Sequence, residues 1–424
     1  DEPVVGGVSA PTSVDWLPAA ENGDLLLTTQ GGRLYRWNGT AKTEVLNISG
    51  NVCAGSETGL LGLAVDPQFQ SGDRFVYLYY TRNRGNCGSA SGRVNRISRF
   101  TMNGDDTITN EQVLIDNIPA VGGNHNGGDL QFGNDGLLYI SVGDSGQDFH
   151  TGVAQDENGN ARRLDILNGK ILRIEKNGGI PAGNPFQGDG TTRCAGADVV
   201  ERQGMRVVAQ EQKGKKGKKG NKGKKGKKGG KGKGKGKGGK GKKNKNKNLP
   251  PLVLGPTCQE IFATGLRNPY RIAFDQSDTD GSQRFFINDV GGNGFEEINE
   301  GASGADYGWN IREGPCAINS GNCAPDGRFV EPLFAFGHGH GGPSFQNCRV
   351  VTGGAFTPAG DWPGDYLFAD LGCATLFSMN ANGSGASVFG TGSGATHIRF
   401  GPDGALYYTT YERGGEVRRI VDNP

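Results

Sequence analysis

The sequence lacks any apolar run of about 18 residues or more, and it nowhere sustains an apolar period of about 3.6 residues. The first absence excludes a transmembrane helix, and we expect no membrane association. The second excludes a mainly helical protein, since a stretch such as 155–167 predicts one or two helical turns at most. Because the chain starts at Asp1 without Met or an apolar signal core, we expect a processed mature terminus.

None of the eight cysteines belongs to a C-x-x-C pair, which argues against zinc ribbons and redox motifs of that kind. An even number of cysteines, together with three N-x-S/T sequons, is typical of a secreted, glycosylated and disulfide-bonded chain. Eight cysteines allow many connectivities, of which we take the sequential one as a working hypothesis. The pairs are then Cys53 with Cys87, Cys194 with Cys258, Cys316 with Cys323 and Cys348 with Cys373, and the sequons lie at Asn38, Asn47 and Asn382.

The formal net charge of +2 is the sum of two opposite parts of the chain. Residues 212–248 hold 19 lysines and no acid, which leaves 27 basic against 44 acidic residues elsewhere, a net charge of −17. An acidic globule is not typical of a nucleic-acid-binding protein, so we expect no such partner. The Lys/Gly-rich insert has nothing to bury and repels itself, which predicts a disordered loop. The insert is either an electrostatic tether, which would bind polyanions, acidic polysaccharide or an acidic redox partner, or a tolerated surface insertion.

Glycine is abundant, at 76 of 424 residues, and much of it marks turns between short alternating segments. A strand, a Gly-containing turn and a second strand recur six times. The first strands are 25–29, 75–81, 137–144, 285–290, 366–371 and 406–411, and their partners are 33–37, 93–100, 170–175, 307–311, 374–379 and 416–421. Six such units predict an all-β, six-bladed β-propeller that forms a single domain over residues 1–424, interrupted by the insert at 212–248. A jelly roll or two β-domains is the alternative.

A histidine flanked by glycines occurs in the segment Gly122-Gly123-Asn124-His125-Asn126-Gly127-Gly128. The small neighbours allow a ligand to approach the backbone closely, and an imidazole titrates near neutral pH. We therefore predict that His125 is a general base. A structural histidine is the alternative.

Two further loops carry charged or polar groups beside glycine or proline. Residues 265–271 (GLRNPYR) offer an arginine and an amide, a pair suited to carboxylates and oxyanions. Residues 288–299 (NDVGGNGFEEIN) offer carboxylates and free backbone carbonyls, which are hard oxygen ligands suited to Ca²⁺. The spacing of the second loop is not that of an EF-hand. A surface arginine and a solvated acidic turn are the respective alternatives.

Taken in order, these motifs resemble the soluble quinoprotein sugar dehydrogenases, which are six-bladed propellers that bind pyrroloquinoline quinone (PQQ) and calcium. The resemblance spans about residues 15–422 without the insert, and the secreted fungal pyranose dehydrogenases are the branch that it resembles most. The motifs that carry it are residues 57–64 (ETGLLGLA), 124–128 (NHNGG), 142–144 (VGD), 266–269 (LRNP), 289–299 and 305–309 (ADYGW).

The resemblance implies a role for each matching residue. His125 would take the proton of the sugar's anomeric hydroxyl while a hydride passes from C1 to the quinone. Asp144 would orient His125 or the sugar, and Arg267 would stabilise the charge that develops on reduction. The implied cofactor-binding residues are Glu57, His125, Arg267, Asn268, Gly291, Gly292 and Trp309, and the implied calcium ligands are Gly291, Gly292, Glu297, Tyr307 and Glu331.

The chain also departs from the pattern of its bacterial relatives. Those enzymes supply Lys and Arg side chains from the last two blades to the carboxylates of PQQ, whereas residues 371–373 and 394–396 contain none. Arg349 and Arg399 are candidates to replace them. Glu57 stands where many relatives have Gln.

The resemblance implies an extracellular PQQ- and calcium-dependent sugar dehydrogenase that oxidises pyranoses at C1 to lactones. Electrons would pass to an external acceptor such as a cytochrome or a copper polysaccharide oxygenase, and we expect the protein to be a monomer. One alternative is a non-catalytic, calcium-binding propeller that binds a protein or glycan partner. Another is a calcium-dependent propeller lactonase, which would need no quinone.

Overall fold

The computed structural model describes residues 1–70, 74–149, 151–153, 157–195, 254–277, 283–318, 320–338, 345–392, 394–411 and 414–421. The insert predicted at 212–248 lies outside these residues. Within them the chain is almost entirely β-structure, with no α-helix and no helix long and apolar enough to cross a membrane. The helical elements in this part of the chain are short 3₁₀ turns at Ala19–Glu21, Ser49–Asn51, Ala90–Gly92 and Asn160–Arg162.

Six four-stranded antiparallel sheets form the blades of a β-propeller, as predicted. Strand β1 (Glu2–Val5) belongs to the sixth blade. Blade one contains β2 (Pro11–Trp16), β3 (Leu25–Thr29), β4 (Arg33–Trp37) and β5 (Lys42–Asn47). Blade two contains β6 (Leu60–Val65), β7 (Phe75–Asn83), β8 (Arg93–Met102) and β9 (Ile108–Pro119). Blade three contains β10 (Leu130–Phe132), β11 (Leu138–Val142), β12 (Lys170–Ile174) and β15 (Ile261–Thr264).

The remaining strands complete the ring and two small accessory sheets. Blade four contains β16 (Pro269–Phe274), β17 (Phe285–Asp289), β18 (Phe295–Glu300) and β21 (Phe334–Gly337). Blade five contains β22 (Val351–Phe356), β23 (Tyr366–Asp370), β24 (Thr375–Met379) and β25 (Ser387–Thr391). Blade six contains β26 (Ala395–Phe400), β27 (Leu406–Thr410), β28 (Val417–Ile420) and β1. The accessory pairs are β13 (Thr191–Thr192) with β14 (Thr257–Cys258), and β19 (Arg312–Glu313) with β20 (Cys316–Ala317).

The ring closes through hydrogen bonds between the two ends of the described chain. Strand β1 pairs antiparallel with β28, so that the N-terminal strand is the outermost strand of the last blade. At the other edge of each blade, the innermost strands β2, β6, β10, β16, β22 and β26 pack against their neighbours around the propeller axis. The loops that precede these innermost strands converge at one end of the axis.

Aromatic residues fill the spaces between the blades. Between blades three and four, Tyr139 packs edge-on against Phe274, with ring centroids 4.9 Å apart, and Phe274 stacks on Phe285 at 4.8 Å. All three side chains are buried. Such pairs add packing energy beyond the apolar area that they bury, which explains how thin blades of short strands form a stable ring.

Five of the six predicted hairpins are confirmed, with strand ends within two residues of the expected ones. The fourth prediction is wrong: the partner of β17 is β18, whereas residues 307–311 form a loop. The reason lies in the sequence of β18, FEEINE, which has the appearance of an acidic turn. Its polar residues Glu296, Glu297 and Asn299 are buried, so the alternation that marks a half-exposed strand is missing.

The sequential disulfide pairing is confirmed in full. The bonds join Cys53 to Cys87, Cys194 to Cys258, Cys316 to Cys323, and Cys348 to Cys373. The second of these bonds closes the base of the segment that contains the Lys/Gly-rich insert, because Cys194 precedes the insert and Cys258 follows it, 64 positions further along the sequence.

Removing the Cys194–Cys258 bond by a double substitution to Ala should lower the free energy of unfolding by about 4 kcal/mol, because the unfolded chain regains the entropy of a long loop. Removing the Cys316–Cys323 bond, which spans only 7 positions, should cost about 2 kcal/mol. Guanidinium unfolding of both double variants measures the difference. Equal losses would contradict the loop-entropy explanation.

Candidate active site

A cavity of about 540 Å³ opens at the end of the propeller axis where the innermost strands begin. Six of the residues singled out in the sequence line it: Glu57, His125, Arg267, Asn268, Gly291 and Gly292. They come from loops of blades two, three and four that are far apart in the sequence. The fold therefore brings together four motifs that the sequence alone could only list in order.

His125 forms a hydrogen-bonded pair with Asp144 at the wall of the cavity. The His125 Nδ1 atom lies 2.7 Å from Asp144 Oδ1, and the two side chains are buried. The pair depends on the glycine of the Val-Gly-Asp motif, because a Cβ on Gly143 would come within 2.1 Å of the His125 carbonyl oxygen. His125 itself has a positive φ of 52°, a strained conformation for a residue with a side chain.

The Asp144 carboxylate is held by further donors in a way that fixes the imidazole tautomer. Its Oδ2 accepts a hydrogen bond from Trp309 Nε1 at 2.8 Å, and its Oδ1 accepts one from the Gly146 N–H at 2.7 Å. With the carboxylate acting as acceptor, Nδ1 of His125 carries the proton. The lone pair then resides on Nε2, as a general base requires.

Trp309 contacts two of the predicted site residues. Its indole is buried behind Asp144 and below the guanidinium of Arg267, whose Cζ lies 5.4 Å from the ring centroid. It is not among the described residues that line the cavity. The tryptophan therefore positions Asp144 and Arg267, and its role in binding the cofactor stays a prediction.

Glu57 connects two of the converging loops. Its Oε2 accepts hydrogen bonds from the His125 N–H at 2.7 Å and from Asn268 Nδ2 at 3.1 Å. The Oδ1 of Asn268 in turn accepts a bond from the Gly127 N–H at 3.0 Å. The histidine loop and the Arg-Asn loop are thus fixed relative to each other.

Asp289 anchors the Arg-Asn loop from below. Its two carboxylate oxygens accept hydrogen bonds from the N–H groups of Arg267 and Asn268, at 2.9 and 2.6 Å. The Arg267 side chain donates from Nη1 to the Val290 carbonyl at 3.0 Å, whereas its Nε is buried without a hydrogen-bond partner. A buried donor without a partner costs free energy, and a hydrogen-bond acceptor on a bound ligand would remove that cost.

Two carboxylates face each other beneath the glycine turn at 291–294. Asp289 and Glu297 lie directly opposite in the β17–β18 register, and both are buried. Burial, and then the charge of Glu297, raises the pKa of Asp289 well above its ordinary value. Burial also raises the pKa of Glu297 to about 7, and the nearby carboxylates of Glu313 and Glu331 add to the rise. Such a group of acids is suited to a divalent cation, which would offset their repulsion.

Sequence reasoning missed Glu313, the residue that organises the glycine turn. Its Oε1 accepts hydrogen bonds from the N–H groups of Gly292, Gly294 and Phe295 at 2.7, 2.8 and 3.1 Å. A Cβ on Gly291 would come within 1.6 Å of the Phe295 carbonyl oxygen, so this position requires glycine. The segment REGPC around Glu313 contains no pattern that marks it as part of a site.

The other predicted calcium ligands are less central to the cluster. Glu331 pairs with Arg312 at 2.9 Å, and the Tyr307 hydroxyl donates to the Glu300 carbonyl at 2.6 Å. Neither residue lines the described part of the cavity. Their roles as ligands, like those of Gly291, Gly292 and Glu297, stay predictions.

The two candidate replacements for the missing basic residues lie at opposite ends of the propeller axis. Arg349 lines the cavity that contains His125. Arg399 lines a separate cavity of about 470 Å³ at the other end, where its Nη2 lies 3.5 Å from Asp15. The hypothesis that Arg399 serves the His125 cavity is therefore wrong, because inner strand β26 carries its side chain away from that mouth.

Comparison with known proteins decides the family. A sequence model described as glucose/sorbosone dehydrogenase matches residues 8–196 and 250–419, which is most of the chain. The chain belongs to the glucose/sorbosone dehydrogenase family. The description of this family is that of oxidoreductases that act on sugars.

Similar proteins agree with this assignment along nearly the whole chain. The aldose sugar dehydrogenase YliI of Escherichia coli (strain K12) is 26% identical over 431 aligned residues, which cover 97% of this chain and 89% of that protein. The apo-form of the soluble aldose sugar dehydrogenase from Escherichia coli has a similar fold, with a TM-score of 0.66, 21% identity and coverage of 100% and 99% of the two chains. The PQQ-bound aldose sugar dehydrogenase from Streptomyces coelicolor gives a TM-score of 0.64, 21% identity and coverage of 98% and 95%.

The elevated pKa of Glu297 predicts a pH-dependent stability. Between its ordinary pKa of 4.5 and about 7, the folded protein keeps a proton that the unfolded chain has released. The free energy of unfolding of the metal-free protein should therefore fall as the pH rises through this interval. Glu297→Gln should be more stable than the wild type at pH 8, by up to about 3 kcal/mol, and the difference should vanish near pH 4. Denaturant unfolding in metal-free buffer at several pH values measures this, with Glu300→Gln at the exposed end of the same strand as control. A constant difference across the pH range would refute the prediction.

Proposed function

We propose that this protein is a PQQ- and calcium-dependent sugar dehydrogenase that oxidises pyranoses at C1 to lactones. Membership of the glucose/sorbosone dehydrogenase family supports the oxidation of a sugar, and the PQQ-bound state of the Streptomyces coelicolor relative supports the choice of cofactor. Four disulfides support an extracellular location. The electrons would leave to an external acceptor, a cytochrome or a copper polysaccharide oxygenase.

One observation carries the proposal: the His125–Asp144 pair lies at the wall of the same cavity as Arg267 and Asn268. A base with a fixed tautomer and an adjacent guanidinium are the two groups that oxidation of an alcohol needs from the protein. The base removes the hydroxyl proton, and the cation stabilises negative charge on the accepting group.

The residues present fit PQQ, a planar and polyanionic quinone. The unpartnered Nε of Arg267 is available to an acceptor on such a ligand after a small movement of the side chain. Gly127, which lines the cavity, has a positive φ of 59°, and a Cβ there would lie 2.9 Å from the Ser141 carbonyl oxygen, so this backbone conformation requires glycine. When bound, PQQ would supply the two-electron acceptor for a hydride from C1, and Ca²⁺ would supply a Lewis acid beside it.

The protein's own residues would act on the sugar as follows. His125 Nε2 accepts the proton of the anomeric hydroxyl, and the positive charge that forms on the imidazole is balanced by Asp144, 2.7 Å from Nδ1. Trp309 keeps Asp144 in place through its 2.8 Å hydrogen bond. Arg267, whose Nη1 donates to the Val290 carbonyl, would present a fixed positive charge to the group that accepts the electrons. Backbone carbonyls of Gly291 and Gly292 would hold the calcium ion beside the cofactor, and Glu297 with the Tyr307 carbonyl would hold a second, structural calcium ion.

The decisive experiment is a titration of calcium-loaded protein with PQQ, followed by the absorbance change on adding a panel of aldoses. We expect saturable one-to-one binding and reduction of the bound quinone by at least one pyranose. A folded, calcium-loaded protein that binds no PQQ would overturn the proposal. Binding without reduction by any sugar would favour the non-catalytic alternative.

The variant His125→Ala should lower kcat by roughly 10² to 10⁴, because it removes the base but leaves the other implied cofactor contacts intact. The affinity for PQQ should stay close to that of the wild type. Steady-state kinetics with a dye acceptor, together with the PQQ titration, separates these two effects. An unchanged kcat would exclude His125 as the base.

A further inference from the structure

Three arginines line the candidate cavity, and none of them forms an ion pair within the described residues. They are Arg267, Arg271 and Arg349, and the carboxylate in the described lining belongs to Glu57. The cavity therefore carries a local excess of positive charge in a chain that is acidic outside the Lys/Gly-rich insert. A guanidinium without a carboxylate partner is complementary to a ligand that brings its own carboxylates.

Arg271 is the most unusual of the three. Its side chain is 2% exposed, and it lies near the start of innermost strand β16, at the floor of the cavity. Nη1 donates to the Tyr270 carbonyl at 2.9 Å and Nη2 donates to the Thr12 carbonyl at 2.8 Å, whereas Nε is buried without a partner. The buried carboxylate of Asp129 is near enough to interact electrostatically with Arg271, yet the Nε donor finds no hydrogen-bond partner in the described part of the chain. An unsatisfied buried donor is costly, and an anionic ligand in the cavity would offset that cost.

Arg349 lies in the same lining but is exposed to solvent. Its backbone is fixed on both sides. The preceding residue forms the Cys348–Cys373 disulfide, and the N–H of the following residue, Val350, donates to Asp370 Oδ2 at 2.7 Å. The loop thus holds an unpaired cation at the solvent-facing part of the cavity.

We propose that Arg271 and Arg349 bind carboxylates of PQQ and replace the basic side chains that are absent from residues 371–373 and 394–396. Arg271 would act as a buried cation at the floor, and Arg349 would act as an exposed one. This inference rests on the proposed function, because it concerns the same cofactor and the same cavity.

The test compares PQQ with its trimethyl ester, in which all three carboxylates are neutral. Both compounds are titrated by calorimetry into calcium-loaded wild type, Arg271→Gln and Arg349→Gln. We expect Arg271→Gln to weaken the binding of PQQ about 100-fold, as for the loss of a buried charge contact. Arg349→Gln should weaken it about 3-fold, as for an exposed one. Neither substitution should change the affinity for the trimethyl ester by more than about 2-fold, because the ester offers no charge to either arginine.

Two further variants control for structural effects. Arg271→Lys keeps the positive charge and should bind PQQ at least about 10-fold more tightly than Arg271→Gln. If Arg271→Gln does not fold, Arg271→Lys is compared directly with the wild type, and its PQQ-to-ester affinity ratio should stay within about 10-fold of the wild-type ratio. Arg84→Gln matches Arg349→Gln, because Arg84 is exposed, forms no ion pair in the described chain and lies outside the described cavity lining. It should leave both affinities unchanged.

The outcomes separate this inference from the proposed function. If the wild type binds PQQ and Arg271→Gln binds it equally well, the assignment of Arg271 is wrong while the proposed function stands. If Arg271→Gln loses affinity equally for PQQ and for the ester, Arg271 merely braces the cavity floor, and the assignment is again wrong. If the wild type binds neither compound, the proposed function itself fails.

Discussion

The buried carboxylate of Asp144 is the interaction on which the rest of the site depends. It joins the imidazole of His125, the indole of Trp309 and the N–H of Gly146, and its own N–H donates to the Arg267 carbonyl at 2.8 Å. Loops from blades three and four therefore meet at one residue that is fully buried. Because a buried carboxylate must have its hydrogen bonds satisfied, the loops have little freedom to separate, and the imidazole of His125 and the guanidinium of Arg267 keep a fixed relation.

Charge is distributed so that the cavity differs from the body of the protein. Outside the Lys/Gly-rich insert the chain is strongly acidic, yet the cavity is lined by three arginines that form no ion pair with the described residues. Beside them, Asp289, Glu297 and Glu313 form an acidic cluster beneath the glycine turn. If a polyanionic cofactor and a divalent cation bind side by side, they need adjacent subsites of positive and of negative charge, as found here.

Much of the fold could be predicted because its signal is local. Short alternating strands and glycine turns identify five of the six hairpins, and the sequential disulfides follow chain neighbours. The remaining hairpin, the fourth along the chain, was assigned incorrectly because Glu296 and Glu297 in β18 are buried acids. Their burial is stabilised by contacts with other parts of the chain, such as the His338 imidazole and the Gly314 N–H, and no local pattern reports such partners.

The sequence by itself determined the fold class and the identity of the motifs around His125 and Arg267, since each depends on residue types and their spacing. Only the tertiary structure decided which motifs meet. It placed Arg271 and Arg349 at the cavity and Arg399 at the opposite end of the axis, and it revealed Glu313 as the organiser of the glycine turn. The physical reason is the closure of the ring. The six innermost strands share one axis, so the position of a residue along its strand decides which end of the axis its side chain reaches. Strands that are distant in sequence become neighbours only when the ring closes.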